Sequence, residues 1–461
     1  MSSTTTAPPA PHVPPGSHWP TFVQGLAFIL VRKRLMQLMG KRFGPVYSAR
    51  LPLFGPAIVI SDPALIKQLF QTPATVARGV EPNLDVVLGK GSMFGLQGDT
   101  HRRRRKLLVP PFHGNRMRAY ESLIEEETRN EIATWPQGAE FPVLPSTMRI
   151  TLNAILRAVF GAQGAQLDAL RELMPKIVTL GSRLALIHPL HHDLGPWSPW
   201  GRYLRLRRQF DGIVTNLIAE AESDPDLGER TDVLALMLEA RYDDGAAMSH
   251  SDIADELLTL LAAGHETTAT SLAWAIERLR RHPEVLSRLV DEIDAGQTGL
   301  LQATIYEVQR TRPVIDGAAR QVIAPAMPLG QWVIPQGYTV LVNISGTHNN
   351  DAVFADADRF NPDRFRDGVP DSHSWIPFGG GTRRCLGAAF ANMEMNVVLR
   401  TVLREYQLVP TTAPAEKWHS RGIAYAPRRG GRALVYRRPN RTGGGQTADP
   451  HTPASTTASP T

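Results

Sequence analysis

"FGGGTRRCLG", residues 378–387, holds the only cysteine of the 461-residue chain, Cys385. Three glycines precede it, Arg383 and Arg384 adjoin it, and Gly387 follows. Downstream, "LGAAFANMEMNVVLRTVLREY" (386–406) has the apolar, Ala-rich spacing of a helix, so Cys385 is expected at or just before a helix N-terminus. The free N–H groups and the dipole there favour a thiolate. Gly379, Gly380 and Gly381 let the backbone turn tightly and approach something large and flat. Three chemistries compete for the thiol. It is a small buried hydrophobe, a hydrolase nucleophile awaiting a histidine, or an axial thiolate for haem with Arg383 on a propionate. The glycines explain little in the first, part of the second, and fit the third.

The strongest helical signal is "SHSDIADELLTLLAAGHETTATSLAWAIERLRRHP" (249–283). Ser249 and Asp252 fit a capping-box variant, and Pro283 stops the run. About 30 residues at 1.5 Å each give roughly 45 Å, enough to cross a large domain. It is apolar nearly all round and therefore expected to be buried. Gly264, His265, Glu266, Thr267 and Thr268 break the pattern in the middle. Glycine weakens a helix interior and threonine hydroxyls bond back to carbonyls, so a kink with a groove is expected here. A buried Glu266 is costly unless paired or protonated. The cluster is either a satisfied structural set or an acid beside an alcohol, suited to proton relay.

Further helical spacing runs through "ALIKQLF", "YESLIEEETRNEIATW", "FDGIVTNLIAEAES" and "TDVLALMLEARY". "PVYSARLPLFGPAIVIS" (45–61) reads as a hairpin with a Gly-Pro turn, "QWVIPQGYTVLVNIS" (331–345) as a second hairpin, and "RALVYRR" as a last edge strand. The expected fold is mainly α with a small β region. No linker divides 20–440, which is taken as one large domain between disordered segments at 1–19 and 441–461.

One cysteine excludes an internal disulfide, which suits a reducing, cytoplasmic setting. At 42% hydrophobic the chain can bury a large core. The formal net charge is +6, with dense basic stretches at "HRRRRK" (101–106), "RYLRLRRQ" (202–209) and "RRPNR" (437–441). These are solvated faces and a tail, or a surface for an acidic protein or nucleic acid. The longest apolar run, "GLAFILV" (25–31), is far short of the ~20 residues a spanning helix needs, so no transmembrane anchor is expected.

Taken together these stretches resemble the cytochrome P-450 family. Its haem-loop pattern Phe-x-x-Gly-x-Arg-x-Cys-x-Gly is filled by Phe378, Gly381, Arg383, Cys385 and Gly387. Its central-helix pattern is met by Ala263, Gly264, Glu266, Thr267 and Thr268. Glu307 and Arg310 in "YEVQR" match its Glu-x-x-Arg pair, and "FNPDRF" resembles its Pro-Glu-Arg-Phe element, with Asp363 in place of the usual Glu. Arg364 then completes a structural network with Glu307 and Arg310. "HRRRRKLLVPPFHG" resembles the helix across the haem edge, with His101 and Arg105 as a propionate pair and Arg320 as a further propionate ligand. On this resemblance "HRRRRK" faces haem and a protein partner rather than nucleic acid.

The resemblance implies a soluble bacterial-type monooxygenase carrying haem b (iron protoporphyrin IX). Cys385 is the expected axial ligand of the iron, and its electron donation favours O–O cleavage. Phe378 packs near the sulfur. Glu266 and Thr267 manage proton delivery. The chain is too short to add a flavin reductase, so electrons are expected from a ferredoxin and its ferredoxin reductase, and a monomer is expected. "GKGSMFG" (89–95) lacks the spacing of a nucleotide loop and reads as the mobile loop over the distal pocket. Met93, Phe94, Leu96, Leu260, Ala263, Val314, Ile315 and Ile423 fall where the family contacts lipophilic small-molecule substrates, and each equally suits plain core packing. "HPLHHDLGPWSPWG" (188–201) reads as a loop between helices, with metal binding as the alternative. The acid–alcohol pair argues against a peroxide-driven or rearranging relative. A non-catalytic haem sensor leaves that pair unexplained, and a cysteine hydrolase leaves His101, Arg105 and Arg320 unexplained.

Overall fold

The computed structural model describes residues 12–439 apart from 53, 81, 82, 113, 115, 162, 163, 188, 189, 369 and 370. The tail expected at 441–461 and the first residues of segment 1–19 lie outside the described residues. Within segment 1–19, however, His12 bridges Val333 and Gly16 bridges Ser48, so 12–19 runs along existing strands rather than free.

Among the described residues the chain forms fourteen α-helices. They are α1 (Thr21–Phe43), α2 (Pro63–Gln71), α3 (Leu84–Leu88), α4 (Gly98–Leu108), α5 (Arg116–Ile132), α6 (Leu144–Phe160) and α7 (Ala165–Leu184). The second half adds α8 (Pro199–Glu222), α9 (Val233–Glu239), α10 (His250–Arg281), α11 (Pro283–Asp294), α12 (Gly299–Thr311), α13 (Ile344–His348) and α14 (Ala388–Glu405). The four helical stretches picked out by spacing fall on α2, α5, α8 and α9.

The main sheet has five strands, β1 (Val46–Leu51), β2 (Gly55–Ile60), β3 (Ala77–Gly79), β5 (Gly317–Val322) and β8 (Thr339–Asn343), in the order β1-β2-β8-β5-β3. Its side chains alternate between two faces, as period 2 demands. Ala57, Val59 and Leu341 pack under Phe28, Leu35, Met36 and Met39 of α1. Ile58, Ile60, Val340 and Val342 pack against Ile66, Leu69 and Phe70 of α2. The β1–β2 hairpin is as expected, with Val46 opposite Ile60.

The second expected hairpin does not form. β7 (Trp332–Pro335) pairs with β6 (Ala326–Leu329), while β8 joins the main sheet between β2 and β5. "RALVYRR" also splits. β12 (Arg432–Ala433) pairs with β4 (Phe141–Pro142), and β13 (Val435–Arg437) with β9 (Tyr406–Leu408). A last hairpin, β10 (Trp418–Ser420) with β11 (Tyr425–Pro427), carries Arg421 and Ile423 in its turn.

Candidate active site

α10 is the axis of the helical core. Ser249 caps it, its hydroxyl accepting from the Asp252 N–H at 3.1 Å. No residue of α10 leaves helical φ/ψ, so the pattern-breaking residues 264–268 do not interrupt the helix. α6 explains why. Its Thr147 and Thr151 hydroxyls donate to the Ala269 and His265 carbonyls at 3.0 and 2.9 Å, giving those carbonyls an external partner without opening the ladder. Gly264 is needed for the same packing, because a Cβ there would lie 3.3 Å from Ile155. Thr267 Oγ1 donates back to the Ala263 carbonyl at 2.7 Å.

One stripe of this helix stays accessible. Ala263 is exposed, and Leu260, Gly264, Thr267 and Ser271 are half-buried, while most of the rest of the helix beyond its ends is buried. These positions recur at threes and fours and so share one face. Small side chains at Ala263, Gly264, Thr267 and Ser271 leave this face open on an uninterrupted helix. Around it, Met93 and Val314 belong to the main core, and Phe94, Ile315 and Ile423 are half-buried against it.

The cysteine loop reaches the N-terminus of α14. Gly387 is the N-cap residue, so Cys385 stands just ahead of the helix. The Cys385 N–H donates to the Phe378 carbonyl at 2.9 Å. Phe378 packs edge-on against Trp375, with centroids 5.9 Å apart. Gly379 and Gly381 both have φ of 63°, a conformation that favours glycine. A Cβ at Gly380 would meet the Phe70 ring at 2.1 Å, so this part of the glycine run serves close approach to α2. Gly387 differs, since a Cβ there meets nothing within 4 Å and its Cα faces open space. Cys385 is accessible from that space yet walled in by protein, and this enclosure pushes its thiol pKa up. The Gly387 N–H, Arg105 and Arg384 pull the other way.

His101 and Arg105 of α4 lie one turn apart and converge with Arg320 of β5 and Arg383. Burial pushes His101 down to about 4, assisted by Arg383, Arg105 and Arg320 in that order, so its imidazole is neutral near pH 7. Arg105 is lowered by burial and by Arg384 and Arg383, with Cys385 opposing. Arg320 is buried and donates to the Gly380 carbonyl at 3.0 Å. Such mutual repulsion marks a place for an anion.

Arg383 also donates to the Met93 carbonyl at 3.0 Å, to the Leu96 carbonyl and to Gln97 Oε1 at 2.8 Å. The 89–95 loop, expected to be mobile, is fastened at its other end too. Asp255 accepts from the Gly91 N–H at 2.8 Å, and Arg104 donates to the Gly91 carbonyl at 2.7 Å and to Glu256 at 3.0 Å. The Ser92 and Thr259 hydroxyls meet at 2.7 Å.

The Glu307–Arg310–Arg364 network is present. Glu307 and Arg310 are fully buried and paired at 2.7 Å, and Arg364 reaches Glu307 at 3.3 Å. Arg310 also donates to the His348 and Ala357 carbonyls at 2.6 and 2.8 Å. Asp363 turns away to Arg288 of α11 at 2.6 Å. His348, which sequence reasoning did not single out, links this network to the cysteine loop. Burial holds it down to about 3, hence neutral, and its Nε2 accepts from the Ile376 N–H at 2.9 Å.

Three further polar residues escaped notice. Arg421 donates to the buried Glu266 at 2.7 Å, tying the acid of α10 to the β10–β11 turn. Arg104 is the buried arginine of "HRRRRK", whereas Arg102, Arg103 and Lys106 pair at the surface with Asp99, Asp244 and Asp243. Glu394 of α14 is buried with neither carboxylate oxygen hydrogen-bonded. Burial raises it to about 8, an effect the nearby Thr268 hydroxyl only partly offsets. His191 Nε2 donates to the Leu184 carbonyl and its ring packs at a tilt on Trp200, and among the described residues no group of three or more His, Cys, Asp or Glu is placed to hold a metal ion. His188 of that stretch lies outside the described residues.

Comparison with known proteins agrees with this geometry. The family model for cytochrome P450 matches residues 13–430. The chain is 54% identical over 441 residues to putative cytochrome P450 138 of Mycobacterium tuberculosis, covering 95% of this chain and all of that one. It is 37% identical to putative cytochrome P450 135B1 of the same species, covering 92% and 91%. Retinoic acid-bound cyanobacterial CYP120A1 shares the fold with a TM-score of 0.81 at 23% identity, over 93% of this chain and 99% of that one. CYP102L1 does so at 0.78 and 23%, over 94% and 100%. No helix among the described residues is long and apolar enough to cross a membrane. With the family model spanning nearly the whole chain and the cysteine loop, central helix and Glu-Arg network all in place, the chain belongs to the cytochrome P450 family of haem-thiolate monooxygenases.

Proposed function

We propose that this enzyme inserts one oxygen atom from O2 into a lipophilic organic molecule, with Cys385 as the thiolate that would hold the iron of haem b. The observation that carries this is a pair of accessible patches on two core helices that pack together, α10 and α14. One is the Leu260–Ala263–Thr267 stripe of α10, and the other is Cys385 with Gly387. The residues fit the cofactor. A lone thiol stands beside an open glycine position, and Arg105, Arg320 and Arg383 form a cationic edge suited to two propionates, with the neutral His101 imidazole beside them as a hydrogen-bonding group. Bound haem supplies oxygen activation, and coordination by a metal deprotonates a thiol outright.

The protein's own groups then have distinct tasks. Phe378 shields the sulfur. Thr267 Oγ1 and the Glu266 carboxylate hold and pass protons at the α10 groove. Arg421 fixes Glu266 from across the site. Met93, Phe94, Leu96, Val314, Ile315 and Ile423 supply the apolar wall. Met93 and Leu96 give their carbonyls to Arg383, so their side chains are placed by that anchor. Glu307, Arg310 and Arg364 keep the cysteine loop in register. Electrons come from a ferredoxin and its reductase. Arg384, exposed next to Cys385, offers a cation at that docking face, and partner binding weakens with salt.

The test is the carbon monoxide difference spectrum of the dithionite-reduced protein. A strongly red-shifted Soret band is expected for wild type. Cys385→His is expected to retain haem, lose the red shift and lose monooxygenation. Sustained turnover in that variant refutes thiolate ligation.

A further inference from the structure

His348 is the last residue of α13 and is fully buried. Both of its ring nitrogens are engaged. Nε2 accepts from the Ile376 N–H at 2.9 Å and so carries no proton, while Nδ1–H donates to the Arg310 carbonyl at 3.1 Å. The Arg310 guanidinium donates in return to the His348 carbonyl at 2.6 Å, so each side chain meets the other residue's backbone. Burial keeps the imidazole neutral, and the charges that face it, Arg310 and Lys33, act in the same direction.

The backbone that His348 grips leads straight to the cysteine. Only Pro377 separates Ile376 from Phe378, and its ring fixes φ, so the link is stiff. The Phe378 carbonyl accepts from the Cys385 N–H at 2.9 Å, and the Ile376 carbonyl accepts from the Gly379 N–H at 3.1 Å. One residue earlier, Trp375 Nε1 donates to the Tyr306 carbonyl at 3.0 Å. Tyr306 and Arg310 stand one turn apart on α12. The stretch ahead of Cys385 is therefore held to α12 twice, directly by Trp375 and through His348 by Ile376. The second tie ends on a main-chain N–H of a buried residue, which has a cost if left unpaired.

We propose that His348 is a positioning residue for the axial thiolate. By holding the Ile376 N–H it sets the turn between Phe378 and Cys385, and with it the placement of the sulfur. This rests on the reading of Cys385 as the haem thiolate. Groups that contact a metal ligand's own support orient the ligand and tune the metal, and the potential of a haem iron responds to them. A neutral imidazole suits the task. It accepts on one nitrogen and donates on the other, as the Ile376 N–H and the Arg310 carbonyl require. A lysine or arginine here has no acceptor for the N–H, and a carboxylate has no donor for the carbonyl.

The test uses the full-length, haem-loaded protein. Wild type is expected to give the red-shifted carbon monoxide band, and its absence refutes thiolate ligation itself. His348→Leu neither accepts nor donates. It is expected to bind haem, to shift the midpoint potential of the iron, and to convert in mild urea from the red-shifted to the unshifted band about tenfold faster than wild type. His348→Gln has an amide that can accept from Ile376 and donate to Arg310. It is expected to restore the wild-type potential and most of the lifetime of the band. Urea midpoints from intrinsic fluorescence separate positioning from stability. A His348→Leu protein with a lowered midpoint but an unmoved potential and spectrum makes the histidine a core residue only and overturns the proposal. A potential shifted as far in His348→Gln as in His348→Leu overturns it too. If His348→Leu does not fold, His348→Asn takes its place, because the shorter amide does not span both partners. Equal potentials in His348→Asn and His348→Gln then overturn the proposal.

Discussion

Glu394→Gln isolates a buried acid. Glu394 is fully enclosed in α14 without a hydrogen bond, and its pKa is raised from 4.5 to about 8. The native protein therefore holds a proton that the unfolded chain releases above about 4.5. Stability from this group is complete below that pH and is lost as pH rises towards 8. Each pH unit in the window is worth about 1.4 kcal/mol, so wild type loses about 3 kcal/mol between pH 5 and pH 7 through this residue. That is a substantial share of the 5–15 kcal/mol expected for folded domains. Glutamine has nearly the same shape and does not ionise, so the variant escapes the loss. Urea unfolding midpoints, followed by intrinsic fluorescence from pH 5 to pH 8, give the comparison. The gap between variant and wild type is expected to widen by about 3 kcal/mol from pH 5 to pH 7. If the two profiles run parallel, Glu394 is ionised in the native state and the argument from burial fails.

Two further substitutions bear on the site. Arg310→Met leaves Glu307 as an uncompensated charge at a fully buried position, and a loss of about 3–5 kcal/mol is expected. Chemical denaturation measures this, and a cost below about 1 kcal/mol would falsify the network's structural role. Arg421→Gln removes a partner that is only partly buried, so about 1 kcal/mol of stability is at stake. The larger effect is expected in chemistry, because Glu266 loses its anchor. Hydrogen peroxide released per product formed should rise severalfold, with Arg421→Lys restoring part of the coupling. Unchanged coupling in Arg421→Gln, alongside a defect in Glu266→Gln, refutes the positioning role of Arg421 alone.

What could be read in the sequence was local. The cap at Ser249, the stop at Pro283 and the glycines around Cys385 each act within a few residues. The partners that complete the site do not. Arg421 lies 155 residues from Glu266, and Arg104 lies 152 from Glu256. β8 was misjudged for the same reason, because its partner in parallel is β2, far back in the chain, and adjacency suggested β7. Glu394 was detectable in principle. It stands four residues from Phe390 and Val398 on the apolar stripe of α14, where a lone acid is out of pattern. The kink in α10 was expected because threonine and glycine weaken an isolated helix. In the fold, α6 supplies the packing that keeps the helix continuous.

Arg383 connects the two sides of the site. Two residues ahead of Cys385, its backbone belongs to the ligand loop, yet its guanidinium holds the carbonyls of Met93 and Leu96 and the side chain of Gln97. The same 89–97 segment is gripped at its start by Asp255 and Arg104, which answer to α10. The 89–97 segment is thus suspended between the central helix and the cysteine loop. A flexible loop with one tether can drift without disturbing the ligand. A loop tethered at both ends cannot, so a shift of Met93 is borne by Arg383, the same guanidinium that lowers the pKa of His101 more than any other charge does.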